Sequence, residues 1–157
     1  MFRIDTVFKA AAEQSWLICR VVFAGYLGVL TVMDIRNKRL NLLFLLSGFL
    51  LMAAGFFCKR EIHPLLLATG AGVGLVFLLA SRVTGESFGY GDSILIMIMG
   101  GFLGFWDILS LLTAAFLLAA VFSVIMLVRK KFNRKTAFPF VPFLMIAYTG
   151  GMILGMY

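Results

Sequence analysis

The sequence predicts an all-α, polytopic membrane protein of about six transmembrane helices, and three observations carry that reading. Of its 157 residues, 62% are hydrophobic and 13% charged, well above the roughly 45–50% apolar content of a soluble domain. The apolar residues fall into six runs bounded by charge or turn residues. Each run is apolar on both faces, whereas strands of a membrane barrel alternate over about ten residues.

The polar segment 1–14, with Arg3, Asp5, Lys9 and Glu13, precedes the first span at 15–33. It lacks the basic start, apolar core and small-residue cleavage site of a signal peptide, so the first span is expected to be retained. Further spans are expected at 41–57, 64–81, 92–106, 108–128 and 138–156. Pro64 opens the third, where its missing N–H costs nothing. Glycines at 70, 72 and 74 and at 100, 101 and 104 offer small surfaces for close helix packing. With about 20 residues per span, the chain has no room for a sizeable soluble domain, and residues 1–157 read as one membrane domain.

The formal charge of +7 does not point to nucleic acid, because Lys and Arg cluster between apolar runs without aromatic interleaving. With six spans, Arg36, Lys38, Arg39, Arg82, Arg129, Lys130, Lys131, Arg134 and Lys135 fall on one side of the bilayer. Arg3, Lys9, Lys59 and Arg60 fall on the other, with Arg20 inside the first span toward that side. The positive-inside rule puts the richer set in the cytoplasm, facing anionic lipid. Cys19 and Cys58 are isolated, so neither a metal site nor a disulfide framework is implied, and no cofactor is expected.

Two acids stand where hydrocarbon begins. An ionisable group in a membrane segment costs about 2.5–3.5 kcal/mol at the bilayer centre and is by default a functional-site hypothesis. Asp34 ends the first span and precedes Ile-Arg-Asn-Lys-Arg; it reads either as an interfacial acid paired with Arg36, Lys38 or Arg39, or as half of a functional pair. Asp92 follows Gly89-Tyr90-Gly91. Those glycines permit positive φ and close approach of another chain, and the helix that follows would direct its positive end at the carboxylate. The alternative is a plain N-cap aspartate. Both acids fall at the same membrane face.

Two carboxylates in reach of one another share a single proton, since both cannot ionise side by side. The ionised one then takes a proton from water while the protonated one polarises a scissile carbonyl. Other groups fit less well. His63 lies on the opposite side beside Lys59, Arg60 and Glu61, and Asp107 reads as a turn or cap residue. Glu86 is close to Asp92 on the same side and is kept as an assistant, against a solvated loop glutamate. No Gly-x-Ser-x-Gly elbow or phosphate-binding loop is present.

Gly89-Tyr90-Gly91-Asp92, followed by Leu95, Gly101 and Gly104, resembles the Gly-x-Gly-Asp motif of the type IV prepilin peptidase family of membrane aspartyl proteases. Asp34 with its following basic loop resembles the family's first aspartate. Phe138-Pro139-Phe140-Val141-Pro142-Phe143 is similar to its proline-containing lead into the last helix. The resemblance spans about residues 15–157. It departs at Ile94, where the family commonly has Lys, and at Leu40-Asn41-Leu42, where it has Ile-Pro-Asn.

The resemblance implies a hydrolase with Asp34 and Asp92 as catalytic residues and Gly89 and Gly91 in its motif; Gly89, Gly91 and the nearby Glu86 are expected as substrate-binding or loop residues. It would act at the cytoplasmic membrane on prepilin or pseudopilin leaders, in type IV pilus or protein secretion systems. Larger members carry a Cys-x-x-Cys insert and methylate the new terminus; the short connection after the first span implies cleavage without methylation. A non-enzymatic reading also stands, a transport or pilus-assembly subunit using the acids for proton relay or helix binding.

Overall fold

The computed structural model describes residues 2–37, 42–58, 64–83, 89–129 and 139–156. It is all-helical: α1 (Phe2–Asn37), α2 (Leu42–Cys58), α3 (Pro64–Val83), α4 (Tyr90–Leu103), α5 (Phe105–Val128) and α6 (Val141–Ile153), with no strand among the described residues. Stretches of α1, α3 and α5 (Gln14–Asn37, Pro64–Val83 and Phe105–Val128) are long and apolar enough to cross a membrane. The apolar stretches of α2, α4 and α6 are shorter. The expected six helices are all present, and the chain is a membrane protein by length and composition of its helices.

The bounds differ from expectation at three places, the last being α6, which runs over Val141–Ile153 instead of 138–156 because Pro142 suits a helix start and Gly155, at φ 67°, leaves the helical backbone. α1 begins at Phe2, because the residues ahead of the apolar run, among them Lys9, Ala10–Ala12 and Glu13, are good helix formers and extend the helix. The fourth and fifth helices meet at Gly104, so α5 starts at Phe105 and places Asp107 in its first turn. Gly104 has φ 103°, a backbone that L side chains rarely adopt. It closes α4 by donating its N–H to Gly100 O (2.8 Å) and opens α5 by accepting from the Ile108 N–H (3.1 Å).

The helices form a closed ring: α1 packs on α2 and α6, α2 on α4, α4 on α3, α3 on α5, and α5 on α6. α4 also touches α5 and is the most enclosed element, with Leu95, Ile96, Ile98, Met99, Phe102 and Leu103 buried. The α3–α4 pair is the most extensive, and glycine makes it so. A Cβ at Gly70 would land on the Gly100 carbonyl oxygen, one at Gly100 on the Gly70 carbonyl, and one at Gly74 on the Met97 backbone. Gly101 likewise receives the Met52 sulfur from α2, whereas Gly72 faces open space.

Aromatic rings fix the relative height of the helices. At one end of the bundle Phe102 of α4 stacks on Phe23 of α1 (4.3 Å between centroids) and on Trp16 (5.1 Å), and Phe23 meets Tyr148 of α6 (5.6 Å). Toward the other end, Phe116 of α5 touches Phe77 of α3 (6.0 Å) and Phe140, just before α6 (5.3 Å). Asp92 and Phe116 both lie twelve residues from Gly104, on helices that diverge from that one residue, and therefore at one level. α5 runs about 18 Å further, so the level shared by Asp92 and the start of α6 is recessed below the far end of α5.

Candidate active site

Asp34 sits in the last turns of α1, on the stripe formed by Phe23, Leu27 and Leu30, all fully buried. It is itself 7% exposed. Its Oδ2 accepts a hydrogen bond from the backbone N–H of Val141 at 3.3 Å. Val141 is the first residue of α6, so its N–H is one of the orphan donors that every helix start leaves. The α6 macrodipole favours negative charge at the same point. Arg36 is exposed, while Lys38 and Arg39 lie outside the described residues. A partner of Asp34 among the described residues is thus a helix start over a hundred residues away in sequence.

Asp92 occupies the first turn of α4, three residues after the N-cap Gly89, and is half-buried. It is therefore not an N-cap residue. Gly89 has φ −62° and ψ 131°, an extended backbone open to any residue, and Gly91 lies within the helix. Neither glycine uses positive φ. What Gly89 supplies is room: a Cβ there would stand 3.2 Å from Asp92 Oδ2. The turn is tied by the Ser93 N–H (3.1 Å) and hydroxyl (3.3 Å), both donated to Gly89 O. Ile94, at the position of departure from the Gly-x-Gly-Asp pattern, packs against the core.

Asp34 and Asp92 are far apart in sequence, yet each lies at the same end of the bundle, Asp34 in the last turns of α1 and Asp92 in the first turn of α4. The aromatic contacts place them at one level, since Phe140, which packs on Phe116, precedes the Val141 amide that holds Asp34. Glu86 lies outside the described residues, as does His63. Asp107 is at the opposite end of the bundle, three residues beyond Gly104. Residue-by-residue reading missed Thr31, one turn before Asp34, whose Oγ1 is buried with no hydrogen-bond partner among the described residues. A threonine in an apolar helix ordinarily bonds back to the preceding turn, so nothing in the sequence marks this one.

Chemically, a buried carboxyl that accepts from a helix start and a second carboxyl at the same level on a glycine-bared turn could, within reach of each other, activate water and polarise a carbonyl without a metal or side-chain nucleophile. The described residues contain no group of three His, Cys, Asp or Glu placed to hold a metal ion.

No curated protein and no solved structure matches the chain. The sequence model of the type IV leader peptidase family does match, over residues 21–124, a stretch that holds both aspartates and α2 to α4 complete. Together with an all-helical bundle suited to a membrane, this places the chain in the type IV leader peptidase family, as a membrane-embedded peptidase.

Proposed function

We propose that this protein is a membrane aspartyl endopeptidase that removes the leader peptide from type IV prepilin-like or pseudopilin precursors at the cytoplasmic membrane face. The observation that supports the reading is the placement of two acids at one level of the bundle, Asp34 held by the first amide of α6 and Asp92 in the first turn of α4. One carboxylate takes a proton from water as the water oxygen bonds to the scissile carbonyl carbon. The other carboxyl, protonated, donates to the carbonyl oxygen. Collapse of the tetrahedral species breaks the C–N bond, and the amine leaves with a proton from the pair. The two groups titrate as a unit.

The recessed level of the acids suits a substrate whose cleavage site lies beside its own membrane helix, because that bond then reaches the acids without leaving the bilayer boundary. A basic leader meets local attraction from Asp34, Asp92 and Glu86 amid otherwise cationic loops. Only four residues separate α1 from α2, which leaves no place there for a methyltransferase insert, so the reaction ends at cleavage.

Co-expression with a tagged prepilin from the same genome, read by gel shift, tests the proposal. Wild type should remove the leader, and Asp34→Asn and Asp92→Asn should each abolish removal at unchanged membrane levels. Wild-type protein that leaves every candidate prepilin uncut would overturn the enzymatic reading and favour a proton-relay or helix-binding pair.

A further inference from the structure

α1 carries a charge that peptide hydrolysis does not use. Arg20 lies on the same inward stripe as Phe23, Leu27, Leu30 and Asp34, and is 7% exposed. Its Nε and Nη2 are buried with no hydrogen-bond partner among the described residues. Those two nitrogens form one edge of the guanidinium, where two N–H bonds run parallel, the geometry that receives an oxyanion in bidentate fashion. Among the described residues no acceptor meets this edge. One turn earlier Trp16, and one turn later Phe23, stack on Phe102, and the Tyr148 hydroxyl donates to the Arg20 carbonyl oxygen (3.2 Å). An unpaired buried guanidinium is strongly unfavourable, so this covered edge would gain by turning outward to meet an oxyanion at the surface of the bundle.

Depth identifies the ligand. Arg20 precedes Asp34 by fourteen residues in one unbroken helix, about 21 Å along the axis, against a hydrocarbon core of roughly 30 Å. With Asp34 at or below one boundary, Arg20 lies within about 10 Å of the other. Its side chain leans toward the helix N-terminus, and so toward that boundary, as long cationic side chains in membranes do. The oxyanion every phospholipid presents there is phosphate. We propose that Arg20 binds the headgroup phosphate of a phospholipid from the leaflet opposite the aspartates, clamping lipid against the α1–α4–α6 aromatic cluster. The inference is independent of the peptidase reading.

The test uses the full chain in detergent, stripped of lipid. It is followed by thermal melting and native mass spectrometry with phosphatidylglycerol, a diacylglycerol of the same tails, or inorganic phosphate. Wild type should retain one phosphatidylglycerol and melt several degrees higher with it, with no shift from the other two probes. Arg20→Met should lose the lipid-induced shift, yet melt no lower than wild type without lipid, because it removes a buried unpaired charge. Arg20→Lys, which keeps the charge and loses the paired edge, should bind at least tenfold more weakly. Equal lipid shifts in wild type, Arg20→Met and Arg20→Lys would overturn the proposal. So would an equal shift from diacylglycerol, which would mean binding by tails alone, or from inorganic phosphate, which would mean a free-anion site. Should Arg20→Met fail to fold, the Arg20→Lys comparison decides.

Discussion

Gly70→Ala, with Gly72→Ala as its control on the same helix, isolates the contact that seats α4. A methyl at position 70 would stand 2.8 Å from the Gly104 carbonyl carbon and 2.9 Å from that of Gly100, with the Gly100 carbonyl oxygen closer still. Ordinary contact begins near 3.4 Å, so the helices must part by roughly half an ångström or more. None of those atoms is the loose end of a side chain, so backbone has to move. Overpacking of this kind costs about 1–3 kcal/mol, against roughly 0.5–1 kcal/mol that alanine contributes over glycine in a helix interior. Position 72 has nothing within 4 Å, so only the favourable part remains there. Gly70→Ala should therefore melt up to several degrees lower than wild type in detergent, at about 2–4 °C per kcal/mol for a chain of this size, and Gly72→Ala slightly higher. Since α4 carries Asp92, leader cleavage by Gly70→Ala should fall as well. Identical melting for the two variants would refute the reasoning, because it would mean that α3 and α4 do not meet backbone to backbone at Gly70 and Gly100.

Three further outcomes follow from single contacts. Gly89→Ala places a Cβ 3.2 Å from Asp92 Oδ2 on a backbone any residue adopts; leader cleavage should drop about tenfold while the melting temperature holds, as measured on the same preparation. Phe102→Ala removes a ring stacked on both Trp16 and Phe23 and 1% exposed, and should destabilise by about 3–5 kcal/mol in a denaturant titration. Tyr148→Phe deletes only the hydroxyl bonded to Arg20 O, and the same titration should register about 0.5–1.5 kcal/mol.

How far the sequence could be read depends on the range of the interaction behind each feature. Helix existence rests on apolar runs, which are local, and the expected span 41–57 lies within a residue of Leu42–Cys58. The α4–α5 junction was misplaced because Gly104, at φ 103°, is a glycine of the same kind as Gly100 and Gly101 until its backbone is seen. The packing role expected of glycine holds at Gly70, Gly74, Gly100 and Gly101 and fails at Gly72, since helix rotation, which decides what each one faces, is set by partners distant in sequence. Asp92 was legible by its glycines, although their use is room for a carboxylate instead of a left-handed turn. Arg20 was visible as a charge inside a span, but its missing partner is a property of the folded neighbourhood alone.

The two acids show why one half of the candidate site is harder to read than the other. Asp92 stands at the start of its own helix, so the macrodipole that favours its charge belongs to the residues that follow it. Asp34 stands at the end of its helix, where the same effect is unfavourable, and a reading confined to neighbours turns to Arg36, Lys38 and Arg39 to offset it. The fold supplies the remedy from elsewhere: the ring α1–α6–α5 brings the first amide of α6 to Asp34 Oδ2. Both carboxyls thus lie at positive helix ends, Asp92 at its own and Asp34 at a borrowed one. Closing the ring and fixing Asp34 are then linked, because the α6 start that docks beside Phe116 through Phe140 is the one that brings the Val141 amide to Asp34.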